Sequence, residues 1–463
     1  MPELPEVETI ARILNTFLPG KTIQQVRIIR AKNIENDPHF FSSTLKGKTF
    51  LRVSRRGKYL LFHLSDDWVI LSHLRMEGKY FEGKAGQTPN PYDIVFYDFV
   101  DGTSLRYEDV RKFGRLRLSR EEDVLLVPPL SDLGPEPNEA TPSSFLAALH
   151  RHPSSPIKSV LMDQKVIAGI GNIYADEILF AARLSPKELA KDITLKNAAD
   201  ILQAANMILK KAILEGGSTI RSYHPKQGMS GKMQNHLEVY GKGNTPCPRC
   251  GAPLRSIRLG ERSSVYCPYC QHEEGKPFIL GITGPIASGK SAVSSYLAQK
   301  GYQVLDADRF SHEAYLDPAI RKKIARSFGS DLLTPNGINR AKMLSLISSN
   351  PKKRSRLEAI IHPYVYQKTR QAIEEGKASK IAIDMPLLLT SPFLNQCDLV
   401  IGISAPEEIR EKRLLARGVD PKRALALNHS FPLARLKKVA GIMLDGGGSL
   451  SSLKKQLDAY PFL

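Results

Sequence analysis

Apolar and polar positions alternate with a period of two over residues 22–30 and 48–53, and apolar runs recur at Tyr59–Phe62, Trp68–Leu74 and Ile94–Phe99. Arg115-Leu116-Arg117-Leu118 alternates charge with leucine, which on a strand gives one basic and one buried face. Short strands at this spacing predict a sandwich or barrel for residues 1–120, preceded by a helix from about Glu6 to Phe17 that a Pro19-Gly20 turn ends. Five prolines between Pro128 and Pro142 predict an interdomain linker, and residues 143–216 carry helical periodicity. The pattern restarts at Phe278-Ile279-Leu280-Gly281-Ile282, a short buried-strand run followed by a helix at Ala292–Lys300. Further strand runs at Lys380–Ile383 and Leu399–Ile403, with helices between, predict a parallel α/β fold.

The 463 residues exceed what one core supports, so several domains are expected. The net charge of +19 invites polyanionic partners, and residues beyond 276 carry 28 Lys and Arg against 16 Asp and Glu. Both halves are basic, so charge does not say which one meets nucleic acid. No apolar run of membrane length and no basic-then-apolar leader occurs, so a cytoplasmic protein without membrane contact is expected. Of five cysteines, Cys247-Pro-Arg-Cys250 and Cys267-Pro-Tyr-Cys270 have the spacing of a tetrahedral four-thiolate Zn²⁺ site. Four thiolates leave no open position, so the zinc is structural. Cys397 reads as a buried, inert thiol.

Four stretches are candidates for chemistry on a sugar or for contact with phosphate. With Met1 removed, Pro2 offers a secondary amine beside Glu3. A terminal amine titrates near ~7.7–8.0 and a lysine near ~10.4, so the former is the readier Schiff-base nucleophile for a sugar carbon, with the carboxyl as proton donor. Active protein therefore begins at Pro2; the plainer reading is a proline starting a helix. Arg55-Arg56-Gly57-Lys58 sits at a turn into a strand, where a loop can grip phosphate. Gly169-Ile170-Gly171-Asn172 permits a tight hairpin whose amides, opening a helix, suit a phosphate or a plain packing joint. Arg255, Arg258 and Arg262, between the cysteine pairs, are placed to face DNA.

These motifs, with His73-Leu74-Arg75-Met76-Glu77-Gly78, Arg111-Lys112-Phe113-Gly114 and Leu133-Gly134-Pro135-Glu136-Pro137, make residues 1 to about 272 resemble formamidopyrimidine-DNA glycosylases. The resemblance implies an N-terminal β-sandwich (1–127), a helical domain with a helix–two-turn–helix (128–236) and a zinc finger (237–272). It implies excision of oxidised purines, 8-oxoguanine and formamidopyrimidines, from double-stranded damaged DNA, with β- and δ-elimination. Pro2 resembles the nucleophile, Glu3 the general acid, and Lys58 the lysine at the lesion and its phosphate. Asn172 and Arg262 resemble phosphate clamps, and Lys158 a lysine near the damaged base. Met76, Arg111 and Phe113 resemble the residues that fill the gap left by a flipped nucleotide. Arg75 stands where that family often has glycine, Pro91-Tyr92-Asp93 lacks a usual histidine, and Ser222-Tyr223-His224-Pro225 departs from the family's lesion-loop entry.

In the second half, Gly284-Pro285-Ile286-Ala287-Ser288-Gly289-Lys290-Ser291 follows a strand and opens a helix, as a phosphate loop does. Its amides, with Gly284, Ala287, Ser288 and Gly289 lining the turn, would cradle ATP phosphates; Lys290 would reach the β/γ-phosphates and Ser291 would ligate Mg²⁺. Asp306 and Asp308 end the next strand, where a parallel sheet presents its ligand face, or one merely caps a helix. With Gly337-Ile338-Asn339-Arg340, His362-Pro363 and Asp384-Met385-Pro386, these residues resemble dephospho-CoA kinase over 278–463, most closely to about 445. That resemblance implies ATP-dependent phosphorylation of the ribose 3′-hydroxyl of dephospho-CoA, Asp308 as base and Arg417 as a lid arginine. Pro285 and Ala287 replace usual glycines, Val439-Ala440-Gly441 replaces an Arg-Ala-Asp run, and a glutamine expected near Asn428-His429 is missing. The whole reads as a monomeric fusion of two enzymes, with a decayed kinase half or a non-catalytic damaged-DNA module as alternatives.

Overall fold

The first 120 residues form eight strands whose apolar side chains close on a shared interior, and the alternating and apolar stretches of the sequence fall on six of them. The computed structural model describes all residues except 219–230, 274, 336, 349, 422–424 and 426–430. The Ser222–Pro225 departure and Asn428-His429 thus lie outside the described residues. The chain divides into two units, Met1–Gly243 with Ser256–Tyr266, and Asn244–Arg255 with Cys267–Leu463.

The first unit opens with α1 (Leu4–Leu14), β1 (Ile23–Ile28), α2 (Pro38–Leu45), β2 (Phe50–Arg56), β3 (Tyr59–Leu64), β4 (Trp68–His73), β5 (Gly78–Lys84), β6 (Asp93–Phe99), β7 (Thr103–Asp109) and β8 (Arg115–Arg120). Two antiparallel sheets, ordered β1-β6-β7-β5 and β2-β3-β4-β8, form a sandwich around Phe50, Phe62, Tyr97 and Phe99. On β8, Leu116 and Leu118 are buried while Arg115 and Arg117 face outward, as the alternation predicts. Helix α1 starts and stops earlier than expected. Glu3 caps it, with Glu6 closing a capping box, and Asn15 at its end is drawn into a two-way hydrogen bond with the Val53 backbone on β2. Its Val7, Ile10, Ala11 and Leu14 enter the sandwich core, whereas Leu4 enters the core of the helical part. Sequence periodicity passes over α2, which Asp37 caps, and over β5 and β7.

The helical part comprises α3 (Pro142–His150), α4 (Ile157–Leu161), α5 (Asn172–Ala181) and α6 (Leu195–Leu214), followed by the hairpin β9 (Arg255–Leu259) and β10 (Arg262–Tyr266). The proline-rich stretch before α3 is not a loose linker. The Gly134 amide donates to the Gln164 carbonyl at 2.9 Å, the Pro135 carbonyl accepts from Ala168 at 2.9 Å, and Glu136 is buried. A side chain at 134 would come within 2.6 Å of the Val166 carbonyl, so only glycine fits.

The second unit runs β11 (Phe278–Thr283), α7 (Lys290–Gln299), β12 (Gln303–Asp306), α8 (Ala307–Ala314), α9 (Pro318–Phe328), β13 (Leu333–Thr334), β14 (Gly337–Ile338), α10 (Arg340–Ser348), α11 (Pro351–Glu374), β15 (Lys380–Asp384), β16 (Leu399–Ser404), α12 (Glu407–Ala416), α13 (Leu433–Val439), β17 (Ile442–Asp445) and α14 (Leu450–Asp458). Its five-stranded sheet is parallel, ordered β12-β15-β11-β16-β17, with β11 at the centre. Strands buried on both faces read as continuous apolar runs, which is why β11, β15 and β16 are visible in the sequence. No helix among the described residues is long and apolar enough to cross a membrane.

Candidate functional site

Glu3 is 2% exposed, and its carboxylate accepts the amides of Gly171 at 2.6 Å, Ile173 at 2.9 Å and Tyr174 at 3.4 Å. The amides that open α5, which suit either a phosphate or a packing joint, are thus occupied by the chain's own carboxylate. The reason is steric as well as electrostatic. Gly171 has no side chain, and a Cβ there would lie 2.4 Å from the Glu3 carboxyl carbon. Burial pushes the Glu3 carboxyl above its usual range; nearby Lys58 and the amide donors act against this but do not overcome it.

Lys58, in the turn between β2 and β3, is 4% exposed and donates to the Ile170 carbonyl at 2.7 Å. Burial holds its amine below the usual lysine range, against the attraction of Glu3 and Glu6. The Met1 amine, one residue ahead of Pro2, is lowered too, first by burial, and feels Glu3, Glu6, Lys58 and Arg262. Glu3, Lys58, Arg262 and the start of the chain therefore share one electrostatic neighbourhood, although they are far apart in sequence. Arg262 itself is exposed, at the start of β10.

The other expected positions divide. Met76 is 37% and Phe113 51% exposed, and the Arg111 guanidinium lies 5.0 Å from the Phe113 ring. Arg75 and Lys112, beside them, hold φ values of +53° and +60°, which explains a glycine preference at position 75. Asn172 opens α5 with its Oδ1 buried and unpartnered. Lys158 is not presented to solvent at all. Its ammonium is 1% exposed, 2.8 Å from Asp176, and donates to the Ser263 carbonyl at 2.7 Å. Arg55 and Arg56, expected to grip phosphate, pair instead with Glu8 and Glu136, and with Glu139. Arg255 donates to the carbonyls of Cys397 and Asp398 rather than facing DNA.

Glu6 and His73 are not among the site residues expected from the sequence. Glu6 accepts the Tyr174 hydroxyl at 2.7 Å, the Ser218 amide at 2.7 Å and the Glu3 amide at 2.8 Å, so it braces the residue that bears the buried carboxyl. The Glu-x-x-Glu spacing of a capping box was the available signal. His73 stacks edge-on against Tyr59 at 4.5 Å, and burial, aided by Arg75 and Lys58, lowers its imidazole to about 3.

The four cysteine sulfurs all lie within 4.8 Å of one another, with Cys247–Cys270 at 3.9 Å and Cys250–Cys267 at 3.5 Å. A tetrahedral zinc with bonds of about 2.3 Å has edges of about 3.8 Å, so the set brackets the spacing zinc requires and needs only small side-chain shifts to bind it. Amides of Arg249 and Cys270 point at Cys247 and Cys267 sulfurs, as thiolates require.

At the carboxyl end of β11, Ala287, Gly289, Lys290, Ser291, Asp306, Asp308, Asp384, Arg413 and Arg417 line a cavity of about 470 Å³. Asp306 caps α8 through the amides of Asp308 and Arg309, which leaves Asp308 as the uncommitted carboxylate. Burial, then Asp306, raises Asp308. Lys290 donates to the carbonyls of Gly284 and Pro285 at 3.0 Å, and Ser288 Oγ is buried without a partner. Ala287 holds φ +59°, a left-handed conformation that favours the glycine it replaces. Arg413, unnoticed in the sequence, binds the Ala287 carbonyl at 3.1 Å and that of Gly446 at 2.6 Å, fastening the loop to the turn after β17. Asp384, also unnoticed as a site residue, accepts the Ser294 hydroxyl at 2.6 Å.

Family models match in sequence order: the formamidopyrimidine-DNA glycosylase N-terminal domain over residues 1–116, the H2TH domain of that enzyme over 133–224, the zinc finger found in FPG and IleRS over 245–272, and dephospho-CoA kinase over 278–450. The chain is 44% identical over 274 residues to the formamidopyrimidine-DNA glycosylase of Exiguobacterium sibiricum, spanning 58% of this chain and 99% of that one. It belongs to the formamidopyrimidine-DNA glycosylase family. The corresponding Halalkalibacterium halodurans protein is also 44% identical, over 58% of this chain and all of its own length. Among solved structures, Lactococcus lactis FPG variants bound to Fapy-dG-containing DNA align at TM-score 0.56 and 37% identity, covering 59% of this chain and 100% of theirs. The Lactococcus lactis Fpg complex with abasic-site DNA aligns at 0.55 and 37%, over 58% of this chain and 100% of the other. These glycosylase relatives account for the first three domains, and the dephospho-CoA kinase domain follows them in the same chain.

Proposed function

We propose that the first 272 residues excise oxidised purines, 8-oxoguanine and formamidopyrimidines, from double-stranded DNA and then cut the strand. The observation that carries this is the Glu3 carboxyl, adjacent in the chain to Pro2, buried under three amides of the α5 turn and close to the buried Lys58. With Met1 removed, the Pro2 nitrogen attacks C1′, and the glycosidic bond breaks with its electron pair leaving on the base. Glu3, held toward its acid form by burial, supplies the proton to the sugar or the departing base. The Pro2 nitrogen loses its proton, the C1′–O4′ bond opens with a proton going to O4′, and the iminium so formed acidifies the C2′ proton, so the 3′-phosphate leaves by β-elimination and the 5′-phosphate by δ-elimination. Arg262 and Asn172 hold backbone phosphates, while Met76, Arg111 and Phe113, exposed on two turns, fill the vacated stack. Lys158 acts through Asp176 on the strand that bears Arg262. Borohydride trapping on 8-oxoguanine DNA tests the reading, with a covalent adduct at Pro2 expected. A processed protein that excises without trapping would overturn it.

For residues 278–463 we infer ATP-dependent phosphorylation of the 3′-hydroxyl of dephospho-CoA. Lys290 and the loop from Gly284 to Ser291 take the phosphates, and Asp308 accepts the hydroxyl proton. Ser291, Asp308 and Asp384 are hard-oxygen donors on one cavity and suit Mg²⁺, which when bound offsets phosphate charge. Ala287 in a left-handed conformation favours a second reading, nucleotide binding without turnover. A coupled assay with ATP and dephospho-CoA separates the two, since only the first gives coenzyme A.

A further inference from the structure

We propose that the four-cysteine zinc site, besides holding the finger itself, also supports the P-loop domain that follows it, so that zinc loading sets the order of β11 and of the phosphate loop it carries. The stretches that hold the ligands, Asn244–Arg255 and Cys267–His272, fold within the same unit as that domain. Two paths lead from the cysteines to β11.

The first begins at Arg255, five residues after Cys250. Its guanidinium donates to the Cys397 carbonyl at 3.0 Å and the Asp398 carbonyl at 2.7 Å. The Asp398 side chain in turn accepts the Ile279 amide at 2.9 Å. Cys397 is packed so closely on β11 that a Cβ at Gly281 would lie 2.8 Å from its sulfur. The second path begins at Tyr269, which sits between the ligands Cys267 and Cys270. Its ring meets Phe278, the first residue of β11, at 5.4 Å, and Phe462 at 5.3 Å, both edge-on or tilted. The His272 ring adds a contact to Phe278 at 5.7 Å, and Phe278 is 3% exposed.

Short cysteine turns hold their shape through the metal, because they bury too little apolar surface to stay folded alone. Losing zinc therefore frees the Tyr269 ring and the Arg255 clamp together. Both bear on the central strand of the sheet, whose far end becomes Gly284 and the phosphate loop. The plainer alternative is a finger that merely rests on a self-sufficient domain.

The full chain, with and without chelator, decides by amide hydrogen exchange. Removing zinc is expected to speed exchange at Ile279–Thr283 by ~10-fold or more and to weaken binding of a fluorescent ADP severalfold. A Tyr269→Ala/Arg255→Ala variant, which keeps all four thiolates and one zinc per chain, should reproduce the faster exchange, and chelation should then add little across β11. Zinc-free protein with β11 exchange unchanged would overturn the proposal. So would zinc-loaded double variant with unaltered protection there.

Discussion

Glu3 has two carboxylate oxygens facing three backbone donors, which constrains what can replace it. Glu3→Gln presents an NH₂ to at least one of those donors and removes the acidic proton. Base excision in single-turnover assays is expected to fall by ~10²- to 10⁴-fold, while trapping at a preformed abasic site, which needs no departing base, falls far less. Gly171→Ala should be nearly as damaging without touching any titratable group, since its Cβ meets the carboxyl carbon at 2.4 Å. His73 sets a pH dependence. Its folded value, about 3, lies below its ordinary 6.5, so its contribution to stability is complete above pH 6.5 and is lost as pH falls toward 3. The loss runs at about 1.4 kcal/mol per pH unit. Urea unfolding between pH 6 and pH 4 should show that contribution to the slope, and His73→Gln should remove it.

Strand β10 is tied to α5 by one buried cluster: Asp176 takes Lys158, the Ser264 hydroxyl at 2.6 Å and the Val265 amide at 3.0 Å. Asp176→Asn leaves the Lys158 charge buried without its partner, a change that costs about 3–5 kcal/mol. The expected result is a lower melting temperature and weaker binding to abasic-site DNA, because the tethered strand carries Arg262. Lys158→Met with Asp176→Leu, which removes both charges, should regain most of the stability but not the binding, because the bonds from Asp176 to Ser264 and Val265 are lost. At this scale the sequence was legible wherever a strand was buried on one or both faces. It was not legible at β5, β7 and α2, which mix exposed polar and apolar residues, nor in the proline-rich stretch, whose order comes from bonds to residues 164–168.

At the scale of the whole molecule, the residues proposed for excision lie in the first unit, and the phosphate loop belongs wholly to the second. Lys290→Ala is therefore expected to abolish ATP binding, read by a fluorescent ADP titration, while the single-turnover excision rate stays within twofold of the parent. DNA affinity should fall steeply with added salt, since phosphate contacts release condensed counterions.

From its sequence alone the chain declares two enzyme-like halves, a four-thiolate zinc site and a phosphate loop, because these depend on local spacing that the backbone reproduces directly. Which charges meet was decided only by tertiary structure. A lysine, an arginine or a helix-opening amide looks the same in sequence whether it awaits a phosphate or is already paired. Folding gave the α5 amides to Glu3, Lys158 to Asp176, and Arg55 and Arg56 to glutamates, and it brought Arg262 into the neighbourhood of Lys58 and the terminal amine. Long-range pairing of this kind follows from burial, which makes an unpaired charge too costly to leave and so selects partners far apart in the chain.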